Sequence, residues 1–119
     1  MSGELVPLVL IPRYSSYTGA GTYTPIAMDV TDYQSAIVNA WRGVLNGGGA
    51  YTLSFEESTD QNSWATCTNG SGGDPGEDTE AQYTPTITKR WFRAKLVLTG
   101  TEPVSVTTWA VGFLELRQS

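Results

Sequence analysis

The sequence predicts an all-β fold, an antiparallel β-sandwich of the jelly-roll type built as a single domain over residues 1–119. Thirteen glycines and six prolines divide the chain into short segments, with turn signals about every ten residues. No long segment places its apolar residues at the 3.6-residue period of a helix. Short strands between regular turns are typical of sandwiches, and a chain of 119 residues suits one hydrophobic core.

The N-terminal quarter predicts two strands. Residues 5–12 form an opening strand, and two prolines confine it to a sheet edge because proline cannot donate a ladder hydrogen bond. Residues 13–24 are rich in Tyr, Ser, Thr and Gly and predict a loop or a ragged hairpin. Residues 24–30 carry apolar side chains at alternate positions, so they predict a strand with one inward face that ends at the turn Thr31-Asp32.

The middle of the chain predicts two further strands. Residues 34–45 have enough Ala, Gln and Arg for a short helix, but their β-branched and aromatic residues favour a strand. The three glycines at 47–49 then predict a hairpin turn. Residues 51–57 form the clearest strand, because apolar and polar side chains alternate along it. A polar turn over residues 58–63 follows.

The C-terminal half predicts a loop and two strands. Residues 68–82 contain no large apolar side chain and predict a loop. Residues 88–99 predict a strand with one apolar face and one basic, aromatic face. Residues 104–116 predict the last strand. Its apolar positions change parity near Gly112, which predicts a β-bulge there.

The composition excludes several classes of function. Histidine is absent, which removes Ser-His-Asp catalysis and imidazole metal sites. Cys67 is the only cysteine, so no internal disulfide and no multi-cysteine metal site can form. A net charge of −5 argues against nucleic acid as a partner, and no apolar run approaches the roughly 20 residues of a membrane helix. Residues 5–11 make a poor signal peptide, so we expect synthesis in a reducing cytoplasm.

Paired carboxylates are the one catalytic arrangement that the sequence offers. Glu56 and Glu57 are adjacent on a strand and point to opposite faces, although Asp60 could approach one of them across a turn. A two-carboxylate hydrolase also needs a cleft, and no rigid insertion supplies one. The sequence therefore predicts that the protein is not an enzyme.

A calcium site in the acidic loop is the alternative to a protein without cofactors. Five side chains there offer oxygen ligands: Asn69, Asp74, Glu77, Asp78 and Glu80. Their spacing matches no EF-hand pattern, and acidic loops without metal are commoner. We therefore predict no metal and no cofactor.

Charge is segregated along the chain. Seven acidic and no basic residues lie between Arg42 and Lys89, and four basic residues then fall within residues 89–95. Opposite charges of this kind suit contacts between copies of the chain, or the two groups pair within one molecule. Only 16% of residues are charged, against about 25% in a typical domain. This favours a surface partly covered by neighbours, unless the chain is simply a Thr-rich β protein.

The four tryptophans are many for a chain of this length. Most tryptophans of a sandwich belong to the core, so we expect at least two of the four to be buried. Trp91 is the expected exception, because it shares its strand face with Arg93 and Lys95. A partly exposed Trp beside Arg is typical of an interface hot spot, although a loop of the same chain could equally cover it.

Several segments carry a resemblance. In order, they are Met28-Asp29-Val30-Thr31-Asp32-Tyr33, a hydrophobic strand with its Gly-rich turn, an acidic turn from Glu57-Ser58 through Asp60 to Trp64, a basic and aromatic strand over 89–98, and a Val-rich last strand. Together they resemble a family of small β-sandwich proteins from the structural-gene regions of tailed bacteriophages. The polar insertion at 68–81 is longer than that pattern. The acidic turn also occurs in carbohydrate-binding sandwiches.

The resemblance implies a non-enzymatic virion structural protein, most simply a capsid decoration (cement) protein that binds and stabilises a phage head. Its partner would be the major capsid protein or another virion protein, in a homo-oligomer such as a trimer. Residues 1–13 would act as a contact arm whose removal leaves a folded domain. The candidate contact residues are Leu5, Val6, Leu8, Arg13, Tyr14, Tyr17, Trp91, Arg93 and Lys95. The alternative is a carbohydrate- or receptor-binding module of a phage tail or a secreted protein.

Overall fold

The computed structural model describes residues 5–101 and 103–117, and its regular elements are all strands. The strands are β1 (Leu5–Thr18), β2 (Gly21–Tyr23), β3 (Met28–Asp29), β4 (Tyr33–Arg42), β5 (Ala50–Ser58), β6 (Ala65–Thr66), β7 (Thr79–Tyr83), β8 (Trp91–Thr99) and β9 (Ser105–Leu116). The predicted all-β class is confirmed.

Two antiparallel sheets form the sandwich. The first has the strand order β1-β9-β4-β7 and the second the order β2-β8-β5-β6, with the short β3 also paired to β8. The four strands of the first sheet and the five of the second face each other as two antiparallel layers, which make a β-sandwich. The predicted edge position of the opening strand is also confirmed, since β1 pairs only with β9.

The core lies between the sheets and is built from the inward positions of the long strands. One polar link crosses it, in which the Tyr51 hydroxyl donates to Thr108 Oγ1 at 2.8 Å and Thr108 in turn donates to the Trp41 carbonyl at 2.6 Å. Burial raises the pKa of Tyr51 to about 12. The link therefore ties the two sheets together with a neutral phenol.

Residues 13–24 were expected to be a loop or a ragged hairpin, but β1 continues through them to Thr18, and Gly21–Tyr23 form β2 in the other sheet. Its pairing with β9 shifts register between Val9 and Ile11 and again between Ile11 and Ser15. Tyr14, in the second shift, adopts a left-handed φ of 58°. The extra residues bulge outward and pairing then resumes, so what resembled a loop in the sequence is a bulged strand.

The strand predicted over residues 24–30 is mostly wrong. Met28 and Asp29 form ladder pairs with β8, and buried Val30 donates to the Arg90 carbonyl at 2.6 Å, but Ile26 is 73% exposed. Pro25 lacks a ladder donor, which helps to explain why the alternation did not produce a longer strand.

The three glycines at 47–49 do not form a hairpin. They lead from β4 in the first sheet to β5 in the second. A side chain on Gly47 would lie 2.8 Å from the Pro103 carbonyl oxygen, and one on Gly49 would collide with the backbone of Thr99. Glycine is needed here because the crossing chain runs directly against another backbone.

The polar stretch at 68–82 is ordered, and its expectation as a loop is wrong in part. Gly70 and Gly73 accept backbone hydrogen bonds of 2.8 Å from Phe55 and Leu53, and the segment ends as β7 beside β4. A side chain on Gly70 would lie 2.7 Å from the Phe55 carbonyl oxygen. These glycines allow close approach to β5, so their presence did not signal flexibility.

The bulge predicted in β9 near Gly112 is absent, because β9 pairs with β4 there without a register shift. The register shift of β1 between Val9 and Ile11 lies opposite Val111 and Ala110, and its extra residue belongs to β1. The parity change has another cause. Residues at even positions of β9 face the core, whereas Trp109, Val111 and Phe113 face outward. Gly112 is required for close packing, since a side chain there would collide with the Ile37 carbonyl oxygen.

The expectation that a chain without residues 1–13 would stay folded is also not supported. Residues 1–4 lie outside the described residues, but Leu8, Leu10 and Ile11 are each at most 1% exposed in the core. Removing them would take away three core side chains and most of an edge strand, so we expect such a truncation to destabilise the whole sandwich.

Candidate protein-contact face

The outer side of the first sheet carries a contiguous group of apolar side chains. Residues directly opposite each other on antiparallel strands share a face, and the pairings across β1, β9 and β4 bring these residues together. The group, named here the apolar face, consists of Leu5, Pro7, Val9, Ile37, Val111 and Phe113. Leu5 and Val9 are each 49% exposed and Phe113 is 42% exposed.

A shallow groove of about 490 Å³ runs along this face between β1 and β9. Its walls include Val9, Val111 and Phe113, and Pro12 and Arg13 also line it. Asn39 adds an amide, whose oxygen accepts a 3.4 Å hydrogen bond from Gln82. The groove is thus apolar along its length, with one cation among its lining residues.

An aromatic cluster borders the Arg13 end of the apolar face. The Trp41 and Trp109 rings stack with centroids 6.3 Å apart, and both lie on the outer side of the sheet. The bulge of β1 covers them, since the Arg13 guanidinium lies 4.3 Å from the Trp109 ring centroid and Tyr14 meets Trp41 edge-on at 5.7 Å. Trp41 Nε1 also donates to Asp78 at 3.2 Å.

The opposite end of the apolar face carries a negative charge. Glu115 of β9 pairs with Leu5 of β1 and with Ser35 of β4. Its carboxylate accepts hydrogen bonds from Ser35 Oγ at 2.9 Å and from Gln34 Nε2 at 3.1 Å. Arg117 donates to the Tyr33 carbonyl at the same end, and Asp78 lies beside Trp41 at the other, so both ends of the apolar face carry charges of both signs.

The outer side of the second sheet is different, because its charges are satisfied within the molecule. Arg93 donates twice to Glu56, at 2.8 and 3.0 Å, and Lys95 lies 3.8 Å from the same carboxylate. The Arg93 guanidinium also lies 3.9 Å from the centroid of the Trp64 ring. Together with the half-buried Trp91, these residues are named here the ion-paired face. Of the two explanations for the segregated charge, pairing within one molecule is the correct one for this group.

The expectation of two buried tryptophans is wrong. Only Trp109 is buried, at 6% exposed, and it lies outside the core cluster. The other three are partly exposed. Trp41 and Trp109 lie on the outer side of the first sheet, and Trp64 and Trp91 on that of the second. The bulge of β1 that covers Trp109 could not be recognised in the sequence.

The predicted contact residues divide into three groups. Leu5, Arg13 and Tyr14 belong to the apolar face or its border, and Trp91, Arg93 and Lys95 to the ion-paired face. The other three, Val6, Leu8 and Tyr17, turn partly or wholly inward. Leu8 is 1% exposed, which gives its side chain to the core and not to a partner. Tyr17 packs against Tyr23 with ring centroids 4.9 Å apart, and burial raises its pKa.

Sequence reasoning missed the part of the apolar face that lies on β4 and β9. Ile37, Val111 and Phe113 were each assigned to a strand, but not to a surface. The parity change along β9 was the available signal. It indicated that one strand has apolar residues on both faces, and it was interpreted as a bulge.

The carboxylates considered for catalysis have structural partners. Glu57 is buried and accepts two 2.8 Å hydrogen bonds, from the backbone nitrogen and the hydroxyl of Thr88. Asp60 accepts from the backbone nitrogens of Ser63 and Asn62, and these bonds lower its pKa. Asp60 holds its own turn together, and Glu57 ties β5 to the segment before β8, so both carboxylates have structural uses.

The acidic segment is held by ion pairing. Arg42 binds both oxygens of Asp74, at 2.7 and 3.1 Å, and this contact lowers the pKa of that carboxyl. Over residues 5–101 and 103–117, no three metal-ligating side chains come together. Burial raises the pKa of the Cys67 thiol to about 12. Within the residues that the structure describes, no helix is long and apolar enough to cross a bilayer.

Comparison with known proteins finds likeness in structure alone. No protein-family model matches the sequence, and no curated protein matches it. Solved structures of infectious bursal disease virus do match. The Gx strain structure has a TM-score of 0.68 at 8% identity, covering 96% of this chain and 32% of that chain. The VP2 subviral particle has a TM-score of 0.66 at 11% identity, covering 95% and 33%.

A third match is to T=1 particles derived from the same virus, with a TM-score of 0.61 at 7% identity. This chain spans about a third of the length of each of these chains. At such identities the likeness establishes the fold, which is a β-sandwich found in virus particles.

Proposed function

We propose that this chain is a non-enzymatic structural protein of a virion, and that it works by binding other protein subunits through the apolar face. The fold supports a virion role, because the same sandwich occurs in particles of infectious bursal disease virus over about 95% of this chain. Fold alone does not determine function, so the proposal depends on the surface.

The apolar face is the observation that carries the proposal. The largest contiguous apolar patch on a soluble protein often marks a site of interaction. Leu5, Val9 and Phe113 project from regular strands, so their exposure is built into the strand pairing. The low charged fraction of 16% agrees with a surface that is partly covered in its working state.

The finer proposal is a decoration, or cement, protein on the head of a tailed bacteriophage, with the major capsid protein or another virion protein as its partner. This part rests on the resemblance of the chain to small phage sandwich proteins. Residues 1–13 contribute through β1, which supplies Leu5, Pro7 and Val9 to the apolar face. Many weak contacts of this size become stable together when a lattice repeats them.

The absence of an enzymatic role is part of the same proposal. Glu57 and Asp60, the carboxylates best placed by sequence, are each engaged by neighbouring backbone groups. Hydrolysis by these two residues would require a cleft that holds two free carboxyl groups. The proposal predicts no hydrolytic activity that depends on Glu57 or Asp60.

Co-sedimentation with empty phage capsids, assembled from a major capsid protein, tests the proposal. The Val9→Asp variant should lose at least about 90% of the bound protein, because a buried carboxylate has no partner in an apolar contact. Ile26→Asp is the matched control, since Ile26 is 73% exposed and lies between β2 and β3, away from the apolar face. Equal binding by both variants would refute a contact through the apolar face.

Sugar binding is the competing function, and the half-buried Trp91 is the feature that favours it. A sugar-stacking platform needs an open aromatic ring. The Trp64 ring is covered by Arg93 at 3.9 Å, and Arg90 lies 5.2 Å from the Trp91 ring centroid. Saturable binding on a glycan array that is lost in Trp91→Ala would replace the structural role by this one.

A further inference from the structure

We propose that the free edge of the first sheet, at β7, binds an extended segment of a partner protein that carries a lysine or arginine. The segment pairs with β7 as an added antiparallel strand. This contact is separate from the apolar face and does not depend on the proposed virion role. Strand addition gains its affinity from main-chain hydrogen bonds, so it needs an edge whose backbone groups are unpaired.

The backbone groups of β7 alternate between β4 and the free side. β7 is the terminal strand of the first sheet, and β4 is its ladder partner. Beyond its end, in the same register, the Pro85 carbonyl oxygen accepts a 3.0 Å hydrogen bond from β4, whereas the Thr86 nitrogen turns away and donates to the Thr68 carbonyl oxygen at 2.8 Å. Because this direction alternates along an antiparallel strand, the backbone groups of Glu80 and Gln82 face away from β4.

A slot beside this edge has room for an added strand. The segment 68–73 lies along β5 in the second sheet and meets the continuation of β7 at the bridge between Thr68 and Thr86. The two segments then leave a space of about 570 Å³ between them, lined by Asn69, Gly70, Ser71, Gln82, Tyr83 and Thr84. Within the described residues, no neighbouring segment pairs with the outward backbone groups of Glu80, Gln82 or Thr84.

The other sheet edges of the described chain are protected against strand addition. β1 carries Pro7, Pro12 and two register shifts, and each of these interrupts a ladder. In the second sheet, β2 has three residues and β6 has two, so neither offers a continuous ladder. β7 has five residues, with no proline and no register shift. Strand addition is therefore expected at β7.

The charge beside this edge selects the partner. Glu80 pairs with Trp41 and so lies on the outer side of the sheet, and Glu77 and Asp78 precede the strand. Among the described residues, no lysine or arginine nitrogen lies within 4 Å of these three carboxylates. A cation directly opposite Glu80 on an added strand would gain a favourable cross-strand contact. A second copy of this chain would bring more carboxylates to the same edge, so the occupant is a basic segment of another protein.

The pairing also determines what an added strand must present. Ala81 pairs with the buried Ala40, and the Tyr83 ring packs against Phe55 with centroids 5.8 Å apart, so these two positions of β7 face inward. Residues opposite them would point into the slot, whose lining is mostly polar. The peptide acetyl-Thr-Thr-Val-Thr-Lys-Thr-amide, aligned antiparallel, places threonine at both of these positions and its lysine opposite Glu80.

Titration of the isotope-labelled chain with this peptide, up to about 5 mM and followed by amide NMR shifts, tests the proposal. We expect saturable shifts at Glu80, Gln82 and Thr84, with a dissociation constant of about 1 mM or below. Hydrogen exchange of the same amides should slow at least about threefold when the peptide is bound. No response at these amides up to the highest concentration, or shifts confined to another surface, would overturn the proposal.

Two matched peptides separate the backbone contribution from the charge. A methyl group on the backbone nitrogen of the valine, which lies opposite Gln82, removes a ladder donor and should weaken binding at least about fivefold. Replacing the lysine by glutamate should weaken binding at least about threefold, and this preference should disappear in Glu80→Gln. Undiminished binding of the methylated peptide would overturn strand addition. Equal binding of the lysine and glutamate peptides would overturn the basic partner.

A proline on the edge tests the same ladder from the side of the chain. Gln82→Pro removes the outward N–H but no hydrogen bond to β4, and proline is tolerated at such edge positions. It should weaken binding of the lysine peptide at least about fivefold, whereas Gln82→Ala, which keeps the N–H, should stay within about twofold. Thermal unfolding shows whether both variants are folded, and the methylated peptide decides the question on the natural chain if the proline variant is not. Full binding by folded Gln82→Pro would overturn the proposal.

Discussion

The two outer faces of the sandwich are matched in architecture and different in chemistry. Both are the solvent sides of antiparallel sheets built around long central strands. On the second sheet, Glu56 is paired with Arg93 and Lys95, and Arg93 covers Trp64. On the first, Leu5, Val9 and Phe113 project outward with between 42% and 49% of their surface exposed.

The difference is that the ion-paired face covers its charges and its Trp64 ring within the molecule, whereas the apolar face leaves apolar side chains exposed. A face whose charges are paired and whose aromatic ring is covered gains little from a partner, because binding would first have to break those contacts. An apolar face gains from any partner that excludes water from it. Sequence reasoning treated Trp91, Arg93 and Lys95 as equal candidates with Leu5 and Arg13, and we propose the second group as the contact.

The largest effect is expected at Gly112, where β9 lies against β4 beneath the apolar face. Gly112→Ala would drive a side chain into the Ile37 carbonyl oxygen, so we expect a loss of about 3 kcal/mol in the free energy of unfolding. Gly48→Ala is the control, because its φ of +63° is strained but its surroundings are open; it should cost about 1 kcal/mol. Urea denaturation measures both, and equal losses would contradict the close approach of β9 to β4.

The next effect concerns the ion-paired face. Glu56→Gln leaves Arg93 and Lys95 without their shared carboxylate, and their side chains are only 21% and 37% exposed. We expect a loss of about 2 kcal/mol, less than for a fully buried pair because solvent screens part of the charge.

The control for Glu56 is the exposed pair between Arg90 and Asp29, whose side chains are 59% and 45% exposed. Arg90→Gln should change the free energy of unfolding by less than about 0.5 kcal/mol. Denaturation curves in which Glu56→Gln is no worse than Arg90→Gln would mean that the ion-paired face is not held by its charges.

A smaller effect is expected from acid. The contact with Arg42 lowers the folded-state pKa of Asp74 from its ordinary value of 3.8. A carboxyl whose pKa is lower in the folded protein than in the unfolded chain stabilises the folded state at pH values above the ordinary value of 3.8. This contribution is lost as the pH falls from there through the lowered folded-state pKa. Because Asp74 is 41% exposed, we expect less than about 1 kcal/mol. Unfolding measured between pH 6 and pH 2.5 should show a steeper acid loss for the natural chain than for Asp74→Asn.

The smallest effect on stability is expected on the apolar face itself. Val9 is 49% exposed, so Val9→Asp should change the free energy of unfolding by less than about 0.5 kcal/mol. Urea denaturation checks this. A loss of 2 kcal/mol or more would show that Val9 supports the fold, and its effects on binding could then be ascribed to unfolding.

Strand periodicity predicted the fold class and the long strands, because alternation reports directly on which residues face the core. Residues 51–57 and 88–99 became β5 and β8 with the expected inward faces. Close backbone approach was not visible in the sequence. Glycines at 47–49 and 70–73 were interpreted as a turn and a flexible loop, whereas they allow one backbone to lie against another.

The candidate site was predicted in part. Leu5, Arg13 and Tyr14 were recognised, but their partners on the face come from β4 and β9, which are distant in sequence and are brought together only by pairing. The bulge that places Arg13 and Tyr14 over the two tryptophans depends on a register shift between Ile11 and Ser15. No local signal in the residues predicts such a shift.

Hydroxyl-radical footprinting of the chain, free and within capsids that carry it, tests the central claim most directly. Oxidation of Leu5, Val9 and Phe113 should fall at least about fivefold on assembly, because these side chains become buried in a contact. Oxidation of Trp64 and Trp91, on the ion-paired face, should stay within about twofold of the free chain. Protection of the two tryptophans with unchanged labelling of Val9 and Phe113 would contradict the account.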